Sequence, residues 1–541
     1  MTKRTVAFEV VETLKDMGVK HVFGVPSGGW VDYMEALRVT DGIEFILTTH
    51  EGGAGIMAEV VGRITGVPGV CFGTFGPGAT NLATGVGEAL LDRSPMIALT
   101  DEMGEALRGR TVQMAIDHQA FFAPITKATT RLHAEAVREI LAEARNLAVS
   151  GRPGPVHVGL PVGMSAVTVD GDRAALPAPA PLAPPPEAVM AEAAARIAES
   201  RRPVVAVGLG AVEAGLAKGI LALADKLHSP VVLTPMAKGM LAEDHPCYAG
   251  VLFHALSDIV GETHKHADLV LAIGYDPVEF NYESWMAPVP LVSLDVEPAD
   301  INKEAYPDVF DVVGAIAPAL DHLLAANLGS KDWDLSELAA RKDDMTRLMN
   351  PENAQLGPTK VLSILRELLP QEGIMVCDVG AHTHLIGQCW QTPYPRAQLM
   401  TNGWSTMGFA LPAAIAAKLA RPEVPVCAVV GDGGFLMTVG ELATAVRYNV
   451  PMVVVVLTDN DLALIRIKQQ KKGNPIYGTP VRETGSIGGP DLFGVPVHTV
   501  HNAEDLRKQL EAAFKADGPV IVEAIVSSAE YDSLVLKKDK A

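Results

Sequence analysis

The chain has 541 residues, a formal net charge of −20, 48% hydrophobic residues and only 5% aromatic residues. This length allows about three domains, and the 50 glycines favour α/β layers with many tight strand–helix turns. The negative charge argues against nucleic acid or an anionic membrane surface as a partner.

Targeting and cysteine patterns predict a cytoplasmic protein. No stretch of about twenty apolar residues occurs, and residues 1–4 are not followed by an apolar core before Glu9, so neither a membrane span nor a signal peptide is predicted. The five cysteines are scattered without a CxxC pair: Cys71, Cys247, Cys377, Cys389 and Cys427. This usage is typical of buried, reduced thiols rather than of a disulfide framework or a zinc site.

The first predicted unit, residues 1–175, alternates helix and strand patterns in βα order. Helices are predicted at 6–15, at 53–64 and up to residue 91, and strands at 21–24, 43–49, 69–74, 95–100 and 155–160. The strand at 21–24 leads into a turn at 25–30, and the strand at 69–74 leads into FGPGATN at 75–81.

Glu51 is the main candidate for catalysis in this unit. It follows the strand at 43–49 and has glycines beside it at positions 52, 53 and 55. A carboxyl group there can be held in an apolar, backbone-lined pocket and donate to a ring nitrogen. The alternative is an ordinary glutamate at a helix N-terminus, where the helix dipole favours it.

Two linkers separate the remaining units. Proline and alanine dominate residues 175–187, which predicts an extended linker. A second α/β unit is predicted at 188–330, with strands at 204–207, 230–234, 269–273 and 291–294. Its Gly208-Leu209-Gly210 is a partial dinucleotide fingerprint, but Gly215 has the wrong spacing, so a structural turn is favoured. A polar stretch near 328–358 is interpreted as the second linker, followed by a third unit at 355–530 and a charged tail.

The third unit contains a candidate phosphate and metal site. A strand at 426–430 ends at Gly431-Asp432-Gly433-Gly434, and a helix is predicted at 438–447. The glycines let backbone N–H groups approach a phosphate, and the helix N-terminus favours an anion. A strand at 452–457 brings Asp459 and Asp461 to the same sheet edge, where Asp432 and Asp459 can share one Mg²⁺. The alternative is a tight turn with a solvated aspartate.

Two further segments of this unit have a structural interpretation beside a functional one. Met407 precedes a helix predicted at 411–420, and a methionine there is more often part of a core than a cofactor contact. His382, in the segment Asp378-Val379-Gly380-Ala381-His382, is either a capping or core histidine or a ligand contact.

Together these motifs resemble the thiamine diphosphate enzymes of the acetolactate synthase, pyruvate oxidase and 2-oxo acid decarboxylase family. Gly-Asp-Gly followed by Asn or Asp, here Asp459 at 27 positions after Asp432, is that family's cofactor signature. The stretch from HEGGAGIMAE to FGPGATNLATG is similar to its pyrimidine-binding domain, and ADLVLAIGYDPVEF at 267–280 looks like the flavin-free, catabolic acetolactate synthases. The resemblance implies three consecutive doubly wound parallel-sheet α/β domains: pyrimidine-binding at 1–175, central at 188–330 and diphosphate-binding at 355–530.

The resemblance also implies cofactors and site residues. Thiamine diphosphate and Mg²⁺ are expected, and FAD is not. The metal ligands would be the side chains of Asp432 and Asp459 and the backbone carbonyl of Asp461. Glu51 would activate the aminopyrimidine of the cofactor, and Met407 would be the wedge beneath it. The other implied cofactor contacts are Val25, Pro26, Gly380, Ala381, His382, Ser405, Gly431, Gly433, Gly434 and Leu462.

The region expected to bind substrate departs from the family pattern. Gly52 stands where the family has a glutamine, and Ser27-Gly28-Gly29 stands where the catabolic enzymes have Gly-Ala-Lys. By the resemblance, His118 and Gln119 fall close to the substrate channel and are predicted to be catalytic. These departures leave the donor and acceptor substrates open.

The expected activity is decarboxylation of a 2-oxo acid with transfer of the acyl group to a carbonyl acceptor. The resemblance implies a homodimer or homotetramer whose active sites lie between subunits. One alternative is a simple decarboxylase that releases an aldehyde, with His118 as the proton donor. The other is a flavin-linked oxidase.

Overall fold

The computed structural model describes residues 4–169, 175–252, 255–286, 288–351, 355–483 and 485–535. Residues 1–3 and 170–174 of the predicted first unit, 352–354 of the predicted second linker and 536–541 of the predicted tail lie outside the described residues. Within the described ranges the strands form three sheets that follow one another along the chain. The predicted class, three consecutive α/β domains, is confirmed.

The first sheet is parallel throughout, because helical segments connect its successive strands. Its spatial order is β2-β1-β3-β4-β6-β5. The strands are β1 (His21–Gly24), β2 (Glu44–Leu47), β3 (Gly69–Gly73), β4 (Met96–Glu102), β5 (Ala128–Arg131) and β6 (Pro155–Pro161). The helices are α1 (Val6–Asp16), α2 (Val31–Val39), α3 (Glu51–Thr65), α4 (Pro77–Leu91), α5 (His118–Phe122) and α6 (Val137–Val149). The order reverses between β1 and β3, so a crevice opens at their carboxyl ends.

The central sheet is also parallel, in the order β12-β11-β10-β7-β8-β9. Its strands are β7 (Pro203–Val207), β8 (Val231–Leu233), β9 (Tyr248–Val251), β10 (Leu269–Ile273), β11 (Leu291–Asp295) and β12 (Val309–Val313). The helices are α7 (Glu187–Glu199), α8 (Leu209–Glu213), α9 (Ala217–Leu227), α10 (Ser257–Glu262), α11 (Ile316–Ala325) and α12 (Leu335–Leu348). A Cβ atom at Gly208 would lie 2.5 Å from the carbonyl oxygen of Gly274, so this glycine serves the close packing of a turn, as the sequence favours.

The third sheet has the order β14-β13-β15-β16-β19-β18-β17. Its strands are β13 (Ile374–Cys377), β14 (Gln398–Met400), β15 (Val426–Gly431), β16 (Val453–Thr458), β17 (Asp491–Leu492), β18 (Val495–Val500) and β19 (Val520–Ile525). The helices are α13 (Pro358–Leu368), α14 (Ala381–Cys389), α15 (Ala410–Ala420), α16 (Asp432–Thr438), α17 (Leu442–Arg447), α18 (Ala463–Lys471), α19 (Ala503–Ala513) and α20 (Ala529–Leu534). Here the order reverses between β13 and β15, which places the second crevice beside Asp432.

Two predicted boundaries in the C-terminal half of the chain are wrong. The helix predicted at 438–447 begins six residues earlier, at Asp432, and a 3₁₀ turn at Val439–Glu441 divides it into α16 and α17. The predicted linker at 328–358 contains α12, whose first turn is capped by the Asp334 carboxylate accepting from the Ser336 N–H at 2.9 Å. The third sheet is parallel, as predicted, apart from the two-residue edge strand β17, which pairs antiparallel with β18.

The first and third domains share one hydrophobic core. Helix α3 of the first domain packs against α15 of the third, and both contribute to a buried apolar cluster that includes Met57, Val86, Ile415 and Val454. This contact fixes the position of α3 relative to the loop before α15.

Among the described residues, no helix is long and apolar enough to cross a membrane.

Candidate active site

The first half of the site is built around Glu51, the first residue of α3. His50 caps the helix, because its Nδ1 accepts the Gly52 N–H at 3.0 Å, so the helix starts two residues before the predicted position. The Glu51 side chain is only 9% exposed, and its Oε2 accepts from Asn81 Nδ2 at 3.0 Å. A Cβ atom at Gly78 would lie 3.2 Å from Glu51 Oε1, so the turn before α4 leaves room for this carboxyl.

His118 lies behind that turn and faces the interior of its own domain. Its Nε2 accepts the N–H of Gly76 at 3.2 Å, and its Nδ1 is 2.9 Å from Thr100 Oγ1, which in turn is 2.8 Å from His157 Nε2. Burial lowers the pKa of His118, and it lowers the pKa of His157 to about 3. Both rings are therefore neutral near pH 7, and His118 holds the turn at 75–78 against Glu51.

Gln119 is also engaged within its domain. Its Nε2 donates to Glu102 Oε1 at 2.5 Å and to the carbonyl oxygen of Thr130 at 3.0 Å, while Arg131 donates to the other oxygen of Glu102 at 2.5 Å. Ligand atoms of Glu102, His118 and His157 lie within 4.8 Å of one another, a spacing that suits a metal ion. Hydrogen bonds already occupy these atoms, apart from His157 Nδ1, so the cluster is a structural support.

The second half of the site is a cleft of about 120 Å³ at the carboxyl ends of β13, β15 and β16. Backbone and glycine surfaces from the ends of these strands form much of its wall. A Cβ atom at Gly433 would lie 2.8 Å from Leu462 Cδ2, and one at Gly434 would lie 2.9 Å from Asp378 Oδ1. The glycines therefore allow close packing of the strand end against Leu462 and Asp378. The predicted residues that line it are Gly380, Ala381, His382, Met407, Gly431, Asp432, Gly433, Gly434, Asp459, Asp461 and Leu462.

Three aspartates converge on this cleft. The Asp432 carboxylate accepts the N–H groups of Gly433 at 2.9 Å and Asn460 at 2.8 Å, and Asn460 takes a φ of +61° to make that bond. The Asp461 side chain forms an ion pair with Arg466, at 2.9 Å. Burial, together with the charges of Asp432 and Asp461, raises the pKa of Asp459 to about 7. Closely spaced, buried carboxylates make a favourable place for a hard cation.

His382 supplies a further polar group to the cleft. Its Nε2 is buried and has no hydrogen-bond partner in the described chain, and burial lowers its pKa to about 4. The neutral ring lies beside the glycines at 380 and 431. With the backbone N–H groups of the two strand ends, the glycine cradle and the aspartates, this orphaned nitrogen fits a diphosphate bridged by a divalent cation.

The loop from residue 401 to 409 carries Met407 to the rim of the cleft. Asp378 lies beneath it, fully buried, and accepts the N–H groups of Gly408 and Ala410, each at 3.0 Å. Ser405 has a φ of +59°, a left-handed conformation that glycine adopts more easily, and its side chain is exposed. Asp378 therefore holds the loop and does not line the cleft, whereas Ser405 lies at its exposed turn.

The two halves of the site are built by different domains of the chain. The cleft in the third domain is lined by residues of that domain alone, and the hydrogen-bond partner of Glu51 lies in the first domain. The loop holding Val25 and Pro26 also lies in the first domain, at the carboxyl end of β1. Apolar side chains near both halves are exposed, for example Met437 at 57% and Ile116 at 45%.

Sequence reasoning missed several residues of this arrangement. Asn81 holds Glu51, and its place at the end of the turn-helix motif FGPGATN is the signal that marks it. Glu441 accepts the N–H groups of Thr49 and His50 at 3.2 Å, which joins the third domain to the residue before Glu51. Tyr531 lines the cleft from the C-terminal helix α20, and no local pattern marks it.

Comparison with known proteins gives a consistent result along the whole chain. The thiamine pyrophosphate enzyme family matches in three parts: its N-terminal TPP binding domain at residues 4–121, its central domain at 190–323 and its C-terminal TPP binding domain at 378–524. The chain is 32% identical to the probable acetolactate synthase large subunit of Methanocaldococcus jannaschii, over 96% of this chain and 92% of that protein.

Two further relatives differ in the activity that their names state. The acetolactate synthase of Bacillus subtilis is 31% identical over 98% of this chain and 94% of its own length. The probable 2-ketoarginine decarboxylase AruI of Pseudomonas aeruginosa is 32% identical over 95% of this chain and 92% of its own length. Similar identity to both kinds of relative leaves the reaction to be argued from the site.

Proposed function

Since the chain belongs to the thiamine pyrophosphate enzyme family, we propose that it decarboxylates a 2-oxo acid, using thiamine diphosphate and Mg²⁺, and transfers the acyl group to a carbonyl acceptor. The cleft that joins the glycine cradle to Asp432 and Asp459 is the observation that carries the proposal. In it, Asp432, Asp459 and the carbonyl oxygen of Asp461 would hold Mg²⁺, an all-oxygen ligand set that this ion prefers. The backbone around the glycines at 431–434 would hold the diphosphate.

Glu51 is the proposed acid–base group. The bound cofactor supplies a reactive carbon that takes up the substrate carbonyl and accepts the electrons released with CO₂. Glu51 holds and moves a proton at the ring nitrogen of the aminopyrimidine, and Asn81 fixes the direction of its carboxyl. Met407 supports the cofactor from the loop at the rim of the cleft.

A simple decarboxylase is the second candidate. The identity to a protein named as a 2-ketoarginine decarboxylase supports it, and so does the absence of a lysine from the turn at 27–29. His118 is a poor proton donor in this reading, because it is buried and both of its ring nitrogens have partners in its own domain. The release of an aldehyde would then depend on water or on a group from another subunit.

Screening 2-oxo acids for release of CO₂ tests the proposed function. The panel should include pyruvate, branched-chain 2-oxo acids and a 2-oxo acid with a guanidinium side chain, each with and without added Mg²⁺ and thiamine diphosphate. We expect cofactor-dependent CO₂ release from at least one acid, and chromatography will separate a 2-hydroxy-2-acyl product from an aldehyde. No release from any acid by protein loaded with both cofactors would contradict the proposal.

We propose that the central domain works without flavin. At the carboxyl edge of its sheet, Arg93 donates to Asp276 at 2.6 Å and Arg152 donates to Asp295 at 3.3 Å. The arginines of these ion pairs come from the first domain and lie at the sheet edge where open α/β sheets bind nucleotides, which supports the proposal.

We also propose a reducing, cytoplasmic location, which the free thiols of all five cysteines support.

We further propose that each complete site forms between two subunits. Two observations support this arrangement: the cleft is lined by the third domain alone while Glu51 and its partner Asn81 lie in the first, and apolar side chains near both are exposed. A homodimer is then the smallest active species.

Mixing two inactive variants tests the shared site. Subunits carrying Glu51→Gln lack the proton-transfer group, and subunits carrying Asp432→Ala lack a metal ligand. After exchange, a mixed dimer has one site with both groups intact, so we expect up to about a quarter of wild-type activity from a statistical equal mixture. Native mass spectrometry confirms the exchange, and full exchange with no recovered activity would refute the shared site.

A further inference from the structure

A buried charge network joins the first domain to the loop that carries Met407. Asp92, which follows α4, has no exposed surface, and its Oδ1 accepts the N–H groups of Gly403 at 2.7 Å and Asn402 at 3.3 Å. A carboxylate that accepts two successive backbone N–H groups makes charge-assisted hydrogen bonds, which are stronger than neutral ones. The start of the loop is thus held by the first domain, and its end is held by Asp378 of the third.

Arg63 fixes the position of Asp92. It donates to Asp92 Oδ2 at 3.1 Å and to the carbonyl oxygen of Met400, at the end of β14, at 2.6 Å. Glu59 and Ser94 complete the network, since Arg63 donates to the Glu59 carboxylate at 2.7 Å through Nε and the Ser94 hydroxyl donates to the same oxygen. These groups are buried, so loss of one partner leaves a charge without compensation.

Two glycines, at positions 403 and 87, allow the loop to lie close to the first domain. A Cβ atom at Gly403 would lie 2.7 Å from the carbonyl oxygen of Leu91 and 2.9 Å from Asp92 Oδ1. A Cβ atom at Gly87, on α4, would lie 2.7 Å from the ring of Trp404. Between its two anchors the loop carries the exposed residues Trp404 and Ser405. The anchors on either side therefore contribute to the position of this exposed part.

Glu59 and Arg63 belong to α3, the same helix whose first residue is Glu51. At 1.5 Å per residue, the helix separates Glu51 from Arg63 by roughly 18 Å. One rigid element thus carries the proposed acid–base group at one end and the anchor of the Met407 loop at the other.

We propose that Asp92 is a positioning residue, which holds the loop at 401–407 so that Met407 stands where the cofactor binds. This inference rests on the proposed function. Neither Asp92 nor Arg63 lines the cleft, so both act through the loop. Releasing the loop should weaken cofactor binding without removing any group that contacts the cofactor.

The variant Asp92→Asn tests the inference, with Asp268→Asn as the matched control. Asp268, in the central domain, also accepts two successive backbone N–H groups, from Arg201 at 2.8 Å and Arg202 at 2.9 Å. We expect the dissociation constant for thiamine diphosphate with Mg²⁺, measured by calorimetry, to rise at least about tenfold in Asp92→Asn and to stay near the wild-type value in Asp268→Asn. An equal, small change in both variants would show that Asp92 is only structural.

Trp404 provides a readout that does not depend on the cofactor. Acrylamide quenching of the protein without cofactor, compared with the same measurement after Trp404→Phe, isolates the emission of Trp404. We expect Asp92→Asn to make Trp404 at least about twofold more accessible to acrylamide, and Asp268→Asn to leave it unchanged. If Asp92→Asn exposes Trp404 but the wild-type protein does not bind thiamine diphosphate, the proposed function is refuted and the role of Asp92 in holding the loop is retained. If quenching of Trp404 is the same in Asp92→Asn and wild type, the role of Asp92 is refuted.

A second variant covers the case in which Asp92→Asn does not fold. Gly87→Ala improves the helix propensity of α4 while its Cβ pushes against the Trp404 ring. We expect it to change the quenching of Trp404 and, like Asp92→Asn, to weaken the binding of thiamine diphosphate. Gly87→Ala with wild-type quenching and affinity would contradict the inference.

Discussion

Replacement of Glu51 by glutamine is expected to slow proton transfer at the cofactor by about 10²–10⁴-fold while the cofactor still binds. Glutamine keeps the shape of the side chain and a hydrogen bond to Asn81, but it cannot exchange a proton with the aminopyrimidine nitrogen. The measurement is hydrogen–deuterium exchange at C2 of bound thiamine diphosphate, followed by proton NMR after acid quenching, with no substrate present.

The control is Glu35→Gln, at an exposed glutamate of α2 that pairs with Arg38 on its own helix. It should exchange at the wild-type rate. Exchange at that same rate in Glu51→Gln would reduce Glu51 to a helix-end carboxylate and would assign the proton transfer to another group.

The variant Asp432→Ala is expected to lose Mg²⁺-dependent binding of thiamine diphosphate, with a dissociation constant at least about a hundredfold higher, or ~2.7 kcal/mol. The substitution removes a carboxylate from the cation that would bridge protein and diphosphate. It also leaves the Asn460 N–H, which donates to Asp432 at 2.8 Å, without its acceptor. Calorimetry with and without Mg²⁺ measures both affinities.

Asp459→Asn is the matched comparison for this site. Asparagine keeps an oxygen ligand, and the family signature accepts it at this position, so its effect should be far smaller than that of Asp432→Ala. Tight, Mg²⁺-dependent binding by Asp432→Ala would count against the metal site, and equal loss in both variants would assign the two carboxylates equal roles.

Local motifs determined much of the C-terminal half of the candidate site. Asp432 and Asp459 each follow a run of β-branched residues, and the carboxyl ends of neighbouring parallel strands meet at one edge of the sheet. The order of the strands and helices and the residue types of the turns can thus be predicted from the sequence. The start of α16 at Asp432 was harder to predict, because two glycines at its first turn favour a loop over a helix.

His118 and Gln119 illustrate what the sequence left open. Their place near the substrate channel rests on resemblance, whereas the direction of each side chain depends on partners far along the chain, Thr100 and Glu102 among them. The structure turns both side chains into the first domain. Helix α12 was missed for a different reason, since its polar sequence has no apolar face strong enough to distinguish it from a linker.

The sequence by itself determined the three α/β domains, the glycine cradle, and the aspartates that follow two of its strands, because each depends on residues close together in the chain. Only the tertiary structure decided how these parts are held. Asp92 meets the N–H of Gly403 across 311 positions, and Glu441 meets the residue before Glu51 across 391. Such contacts arise when separate domains pack on one core, and no local pattern of side chains encodes which distant backbone a buried carboxylate will bind.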